Sequence, residues 1–163
     1  METATAWHRV LNDPQLRALP YKVETNEHGQ IVLSSHKPQH GLLQSRITDL
    51  LRDHAPQHGA RAVEFAVDTA KGVKVPDVIW IEEDRLARIP DDAEASPVVP
   101  DLVVEVLSES NTESEIAEKR RLYFDEGARE VWTCGPDGTL SFYDADGARD
   151  GSALVPSFPS TVD

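Results

Sequence analysis

The stretch Pro100-Asp101-Leu102-Val103-Val104-Glu105-Val106-Leu107-Ser108 constrains this chain more than any other. Its β-branched and large apolar residues read as a core strand, and Glu105 stands in the middle of it. An ionised carboxylate buried there costs several kcal/mol unless a cation meets it. Glu105 therefore either has a cationic partner or belongs to a site that binds a cation. A second Pro-Asp run, Val75-Pro76-Asp77-Val78-Ile79-Trp80-Ile81, lies upstream and raises the same question for Asp77.

The rest of the chain reads as elements around those two runs. Residues 1–20 carry the breakers Asp13-Pro14 and Leu19-Pro20 and are expected to be irregular. Tyr21–Glu24 and Gln30–Leu33 flank a turn at Asn26–Gly29 and predict a hairpin. Leu42, Leu43, Ile47, Leu50 and Leu51 recur at helical spacing, so a helix is expected over about 38–54, with Pro38 in its first turn. Strands are expected over 61–67 and 73–81, the second apolar on both faces and therefore covered on both. An acidic, proline-bearing loop, 82–97, leads to the strand 101–108. Thr112-Glu113-Ser114-Glu115 is a capping box for a helix that runs to about Glu126, with Gly127 as its stop. A strand at Arg129–Thr133, a turn at 135–138 and a return strand at Thr139–Tyr143 follow, and the tail around Val155–Pro159 packs as an extended segment. The order is hairpin, helix, three strands, helix, two strands. That is an α/β or α+β fold: a mixed central sheet flanked by helices, with an N-terminal hairpin, in one domain over 1–163.

Composition narrows the function classes. The 163 residues carry a formal charge of −13, which repels nucleic acid at long range and weighs against a nuclease unless a bound metal or local basic patch offsets it. Lys71, Lys74, Lys119, Arg120 and Arg121 could form such a rim, or Arg120-Arg121 could be a solvated helix face. The one cysteine, Cys134, excludes an internal disulfide and a cysteine-based zinc site, and reads as a small buried residue. No stretch is long and apolar enough for a membrane span, and no signal peptide is evident, so a cytoplasmic protein is expected.

Asp77, Glu105 and Lys119 form the central constellation. Two neighbouring strands can bring the two carboxylates together, and such a pair repels itself unless a cation lies between them. Magnesium suits the place, being hard, oxygen-seeking and content with one or two protein carboxylates plus water and phosphate oxygens. A nearby lysine could orient the attacking water or stabilise phosphate charge. Asp101, on the same face as Glu105, is an auxiliary ligand candidate. A purely structural ion pair between Glu105 and Lys119 explains both residues equally well.

The succession of a Pro-Asp strand, Pro-Asp-Leu-Val-Val-Glu-Val-Leu-Ser, a helix bearing Lys119 and Lys-Arg-Arg-Leu-Tyr, and Gly-Ala-Arg-Glu-Val-Trp resembles the Uma family of restriction endonucleases, within the PD-(D/E)xK nuclease superfamily. Glu27–Val32 and His40 resemble its N-terminal pattern, and Phe158-Pro159 its closing segment. The resemblance implies a restriction-endonuclease-like core and a metal-dependent DNA endonuclease using Mg, or Mn, with DNA as substrate. It implies Asp77 and Glu105 as metal ligands. The lysine of the (D/E)xK triplet would fall at position 107, which is Leu107, and the resemblance implies that Lys119 replaces it. Where the superfamily often has an acidic residue on its first core helix, this chain offers His40 and Gln44. A homodimer is expected, since cutting both strands of a duplex takes two sites or two visits. The alternative is a catalytically inactive nuclease fold acting as a dimeric binding or assembly module, for which the acidic surface is no obstacle.

Overall fold

Stretches with no polar face must be covered on both sides, and the computed structural model, which describes residues 2–35 and 37–162, shows how that is done. Met1, His36 (part of the polar run before Pro38) and Asp163 lie outside the described residues. The chain begins with helices α1 (Glu2–Asn12) and α2 (Pro14–Arg17), the hairpin β1 (Lys22–Thr25) and β2 (Ile31–Ser34), and helix α3 (Pro38–His54). Strands β3 (Gly59–Val63), β4 (Val67–Thr69), β5 (Gly72–Lys74) and β6 (Val78–Glu82) follow, then the short helix α4 (Glu83–Leu86). Strand β7 (Leu102–Val106), helix α5 (Glu113–Asp125) and strands β8 (Glu130–Cys134), β9 (Leu140–Asp144) and β10 (Gly147–Arg149) complete it.

Six strands form one mixed sheet in the order β10-β9-β8-β7-β6-β3. Within this sheet β7 and β8 pair in parallel and the other neighbours antiparallel, and α5 is the crossover that a parallel pair needs. The side-chain alternation of β6 and β7 sorts the core into two layers. Val78, Trp80, Leu102, Val104 and Val106 pack with Leu43, Ile47 and Leu51 of α3 on one face. Ile79, Ile81 and Val103 pack with Tyr123 of α5 on the other. Glu105 shares the second face with Val103, so the fold turns it toward α5.

The helices start and stop where local chemistry dictates. Thr112 caps α5 by accepting from Glu115 N, and Gly127 takes a φ of 109° just beyond its end. Cys134 is buried at the end of β8, and burial pushes its thiol up to about 11.

Three expectations are corrected. Residues 2–17 are mostly helical, not irregular: Ala6, Trp7 and Val10 share a buried stripe, and Trp7 and Val10 pack on Val73 and Val75. Asp13 breaks α1 from α2 but also caps α2 through Gln15 N and Leu16 N. The strands expected over 61–67 and 73–81 are each split in two. Both breaks fall at one level, where Glu64 N donates to Asp77 O and Phe65 N to Pro76 O, and Glu64 adopts a φ of 48°. Asp77 therefore sits at a bend, not within a straight strand. Finally, α4 interrupts the acidic loop and β10 adds an edge strand that the sequence pattern does not announce. The tail is extended as expected: Thr161 bridges Thr139, and Leu140 N donates to Ser160 O.

Candidate active site

The bend at Pro76-Asp77, the end of β7, the first half of α5 and the β1–β2 hairpin surround a cavity of about 340 Å³. Lys22, Glu24, His40, Asp77, Glu105 and Lys119 contribute to its wall. Each reaches it for a local reason. Breaking the long hairpin at Pro76 frees Asp77 to turn sideways toward β7, where its Oδ2 accepts the backbone N–H of Val106 at 2.8 Å. Glu105 projects toward α5, and the Tyr123 hydroxyl donates to its Oε1 at 2.9 Å. The hairpin is docked by side chains: Glu24 Oε2 accepts Val75 N at 2.6 Å, Thr25 Oγ1 accepts Val73 N at 2.8 Å, and the Lys74 ammonium donates to Thr25 O at 2.8 Å. Gly72, at a φ of 96°, makes that docking sterically feasible, because a Cβ there would lie 2.5 Å from Thr25 O.

Two ammonium groups lie among three buried carboxylates. Lys22 Nζ stands 3.2 Å from Asp77 Oδ1 and 3.3 Å from Glu105 Oε2. Lys119 Nζ is 3.0 Å from both oxygens of Glu24 and 3.6 Å from Glu105 Oε1. His40 Nε2 lies 3.4 Å from Asp77 Oδ1. Among the described residues no buried side-chain nitrogen or oxygen lacks a hydrogen-bond partner.

This crowding separates the acids. Burial pushes the Asp77 carboxyl up, but the hydrogen bond from His40, the charge of Lys22 and the Val106 N–H hold it down at about 2. Burial also pushes Glu24 up, and Lys119 and Lys22 pull it below the usual range. For Glu105 burial prevails: with Asp77 and Glu24 nearby, its carboxyl rises despite both lysines. Burial works against the Lys22 ammonium, yet Glu105, Asp77 and Glu24 hold its proton more tightly than an ordinary lysine's. Burial, then Glu105, raises the Tyr123 hydroxyl well above its usual value, so it remains a donor.

Of the residues singled out in the sequence, Asp77, Glu105, Lys119 and His40 meet at the cavity. Gln44 and Asp101 do not line it. Asp101 stands at the opposite end of β7, and four residues of strand span about 13 Å. There its Oδ2 accepts Glu82 N at 2.8 Å and its Oδ1 pairs with Arg85 Nε at 3.2 Å and Arg129 at 3.8 Å. The structure therefore does not bring Asp101, the auxiliary-ligand candidate, together with Asp77 and Glu105. The basic rim is reduced too: Lys71 and Lys74 line the cavity, but the Arg120 guanidinium lies 3.9 Å above the Tyr143 ring. Sequence reasoning missed Lys22, Glu24 and the hydroxyl of Tyr123. Lys22 and Glu24 did leave a signal, two charges spaced by two around Val23 and so on one face of a strand.

The donor set suits a hard cation. Asp77 Oδ1 and Glu105 Oε2 converge on one point, and a cation, the Lys22 ammonium, already stands there. Two carboxylates with water and phosphate oxygens are a usual shell for magnesium. Among the described residues no cluster of three or more His, Cys, Asp or Glu side chains is arranged to hold a metal. No helix among those residues is long and apolar enough to cross a membrane.

Comparison with known proteins agrees with the fold. A solved structure described as a putative nuclease belonging to DUF820, from Anabaena variabilis, matches with a TM-score of 0.71 at 19% identity, over 93% of this chain and 89% of that one. No curated protein matches. A family model, Uma2, described as "Putative restriction endonuclease", matches residues 13–149. That match spans most of the sequence, and the chain belongs to the Uma2 family.

Proposed function

We propose that this protein is a metal-dependent DNA endonuclease that hydrolyses phosphodiester bonds, with Asp77 and Glu105 as the ligands of a magnesium or manganese ion. The observation that carries the reading is the convergence of Asp77 Oδ1 and Glu105 Oε2 on one cationic point in the cavity wall. A divalent cation held there would polarise the scissile phosphate and lower the pKa of bound water. The chain's own groups do the rest. The Val106 N–H and the Tyr123 hydroxyl fix the two carboxylates, so the ligands need no reorganisation. Glu24 holds Lys119 beside Glu105, where its ammonium can orient water or stabilise charge on the phosphate. Lys71, paired with Glu118, and Lys74, whose ammonium donates to Thr25 O, stand at the cavity on a chain of net charge −13. A strand of acidic polymer would draw on them by exchanging those partners. The activity belongs with DNA in the cytoplasm, and a pair of chains would address both strands of a duplex; sedimentation at micromolar concentration tests that pairing.

The test is a calorimetric titration with magnesium and manganese, run beside plasmid nicking, on wild type and Glu105→Gln. The reading expects binding and nicking in wild type and loss of both in the variant. No binding and no nicking at any salt concentration would sink it. One observation favours the second reading, a non-cleaving binding or assembly module: the three carboxylates are already met by two ammonium groups of the chain itself. That reading expects a stable dimer that never nicks DNA.

A further inference from the structure

The two carboxylate oxygens that a metal would take are the two that Lys22 already takes. We infer that Lys22 is a tethered competitor for the metal, an internal cation that must leave the point between Asp77 and Glu105 before a divalent ion can bind. The inference rests on the cation site proposed above and adds what controls its occupancy.

Geometry makes the two cations exclusive. Lys22 Nζ lies 3.2 Å from Asp77 Oδ1 and 3.3 Å from Glu105 Oε2. Magnesium binds oxygen at about 2.0–2.1 Å. An ion on those same oxygens would stand within a few ångströms of the ammonium, with buried like charges in contact and little water to screen them. The Lys22 side chain is only 10% exposed, so its ammonium and a divalent ion cannot share that buried point. Charge balance points the same way. Glu24, Asp77 and Glu105 are met by Lys22 and Lys119, so a dication added without expelling Lys22 would overcompensate the cluster.

The competitor is also mounted so that it can leave. Lys22 begins β1, whose hairpin forms its own two-stranded sheet outside the six-stranded one. The hairpin is anchored by Glu24 and Thr25, which hold Val75 N, just past β5, and Val73 N of β5 independently of the Lys22 side chain. A four-carbon stem can swing into the adjoining cavity while the backbone stays docked. Lys119 is placed otherwise: its close partner is Glu24, and it approaches Glu105 from the Oε1 side.

The experiment is a manganese titration by calorimetry on wild type, Lys22→Met and Lys119→Met, with metal-dependent thermal shifts as a second readout. Lys22→Met keeps the stem and removes the cation, and should bind manganese at least about tenfold more tightly than wild type. It should also gain more in melting temperature from added metal. Lys119→Met removes the same charge without vacating the shared point, and should gain far less. Equal affinity in wild type and Lys22→Met would overturn the inference, as would equal gains in the two variants. Binding in none of the three proteins would sink the metal site itself along with it. Should Lys22→Met not fold, wild type alone decides: acylation of Lys22 by an amine-directed reagent, read by mass spectrometry, should rise on saturation with manganese. Unchanged acylation would count against expulsion.

Discussion

Asp77 and Glu105 are neighbours of like charge whose proton affinities move apart. Asp77 is held at about 2, below an ordinary value of 3.8, so its contribution to stability is complete above that ordinary value and is lost as pH falls through 2. The shift corresponds to about 2 kcal/mol. Glu105 is raised above 4.5, so the native state takes up that proton earlier than the unfolded chain, and stability grows as pH falls toward 4.5. Denaturant titrations should therefore show stability rising as pH falls toward 4.5, where Glu105 takes up its proton in the native state, and falling below about 4 as Asp77 begins to lose its advantage. Glu105→Gln should flatten the first limb and keep the second. Asp101 supplies the contrast. Alanine there leaves Glu82 N and Arg85 without their buried acceptor, and should cost about 2–3 kcal/mol. Metal affinity by calorimetry should stay at the wild-type level, since Asp101 lies at the far end of its strand. A drop in affinity would return Asp101 to the ligand set.

The element that decides whether the site is assembled is the β1–β2 hairpin, which carries Lys22 and Glu24 to it. Its seat depends on Gly72, where a side chain would strike Thr25 O and would be strained at positive φ. Gly72→Ala should cost about 1–2 kcal/mol in urea unfolding. It should also speed hydrogen exchange at Val73 N, whose acceptor is the Thr25 hydroxyl. Unchanged exchange would mean that the seat tolerates the added carbon. At this scale much was legible: the hairpin, the helix over 38–54, the capped α5 and the strands on either side of it follow from periodicity, caps and turns. The N-terminal helices were obscured by Asp13-Pro14 and Leu19-Pro20, because breakers weigh on a reading more than the sparse stripe of Ala6, Trp7 and Val10. The splitting of two expected strands at Glu64 and Asp77 is a tertiary event, a bend shared by two strands, which apolar patterning along one strand does not record.

Across the whole molecule, the sheet and its two helical layers bring together residues far apart in the chain: the hairpin's Lys22 and Glu24, His40 of α3, Asp77 at the bend, Glu105 of β7 and Lys119 of α5. Asp77, Glu105 and Lys119 were legible from the residues themselves, because acids within apolar runs and an inward-facing lysine stand out against their surroundings, while His40 came from the family resemblance. Sequence alone did not supply Lys22 and Glu24, since charged residues in a short strand next to a turn look like ordinary surface. Nor did it separate Asp101 from Glu105, because alternation gives a face but not a place along it. The central claim, that Asp77 and Glu105 form the metal site of a nuclease, meets its most direct test in nicking of supercoiled plasmid with manganese at low salt. Wild type should convert the plasmid to open circles, chelator should stop it, and Glu105→Gln, which keeps the size and the hydrogen-bond acceptor, should lose at least about a hundredfold in rate. Nicking that persists at the wild-type rate in Glu105→Gln, or that ignores the chelator, would contradict the account.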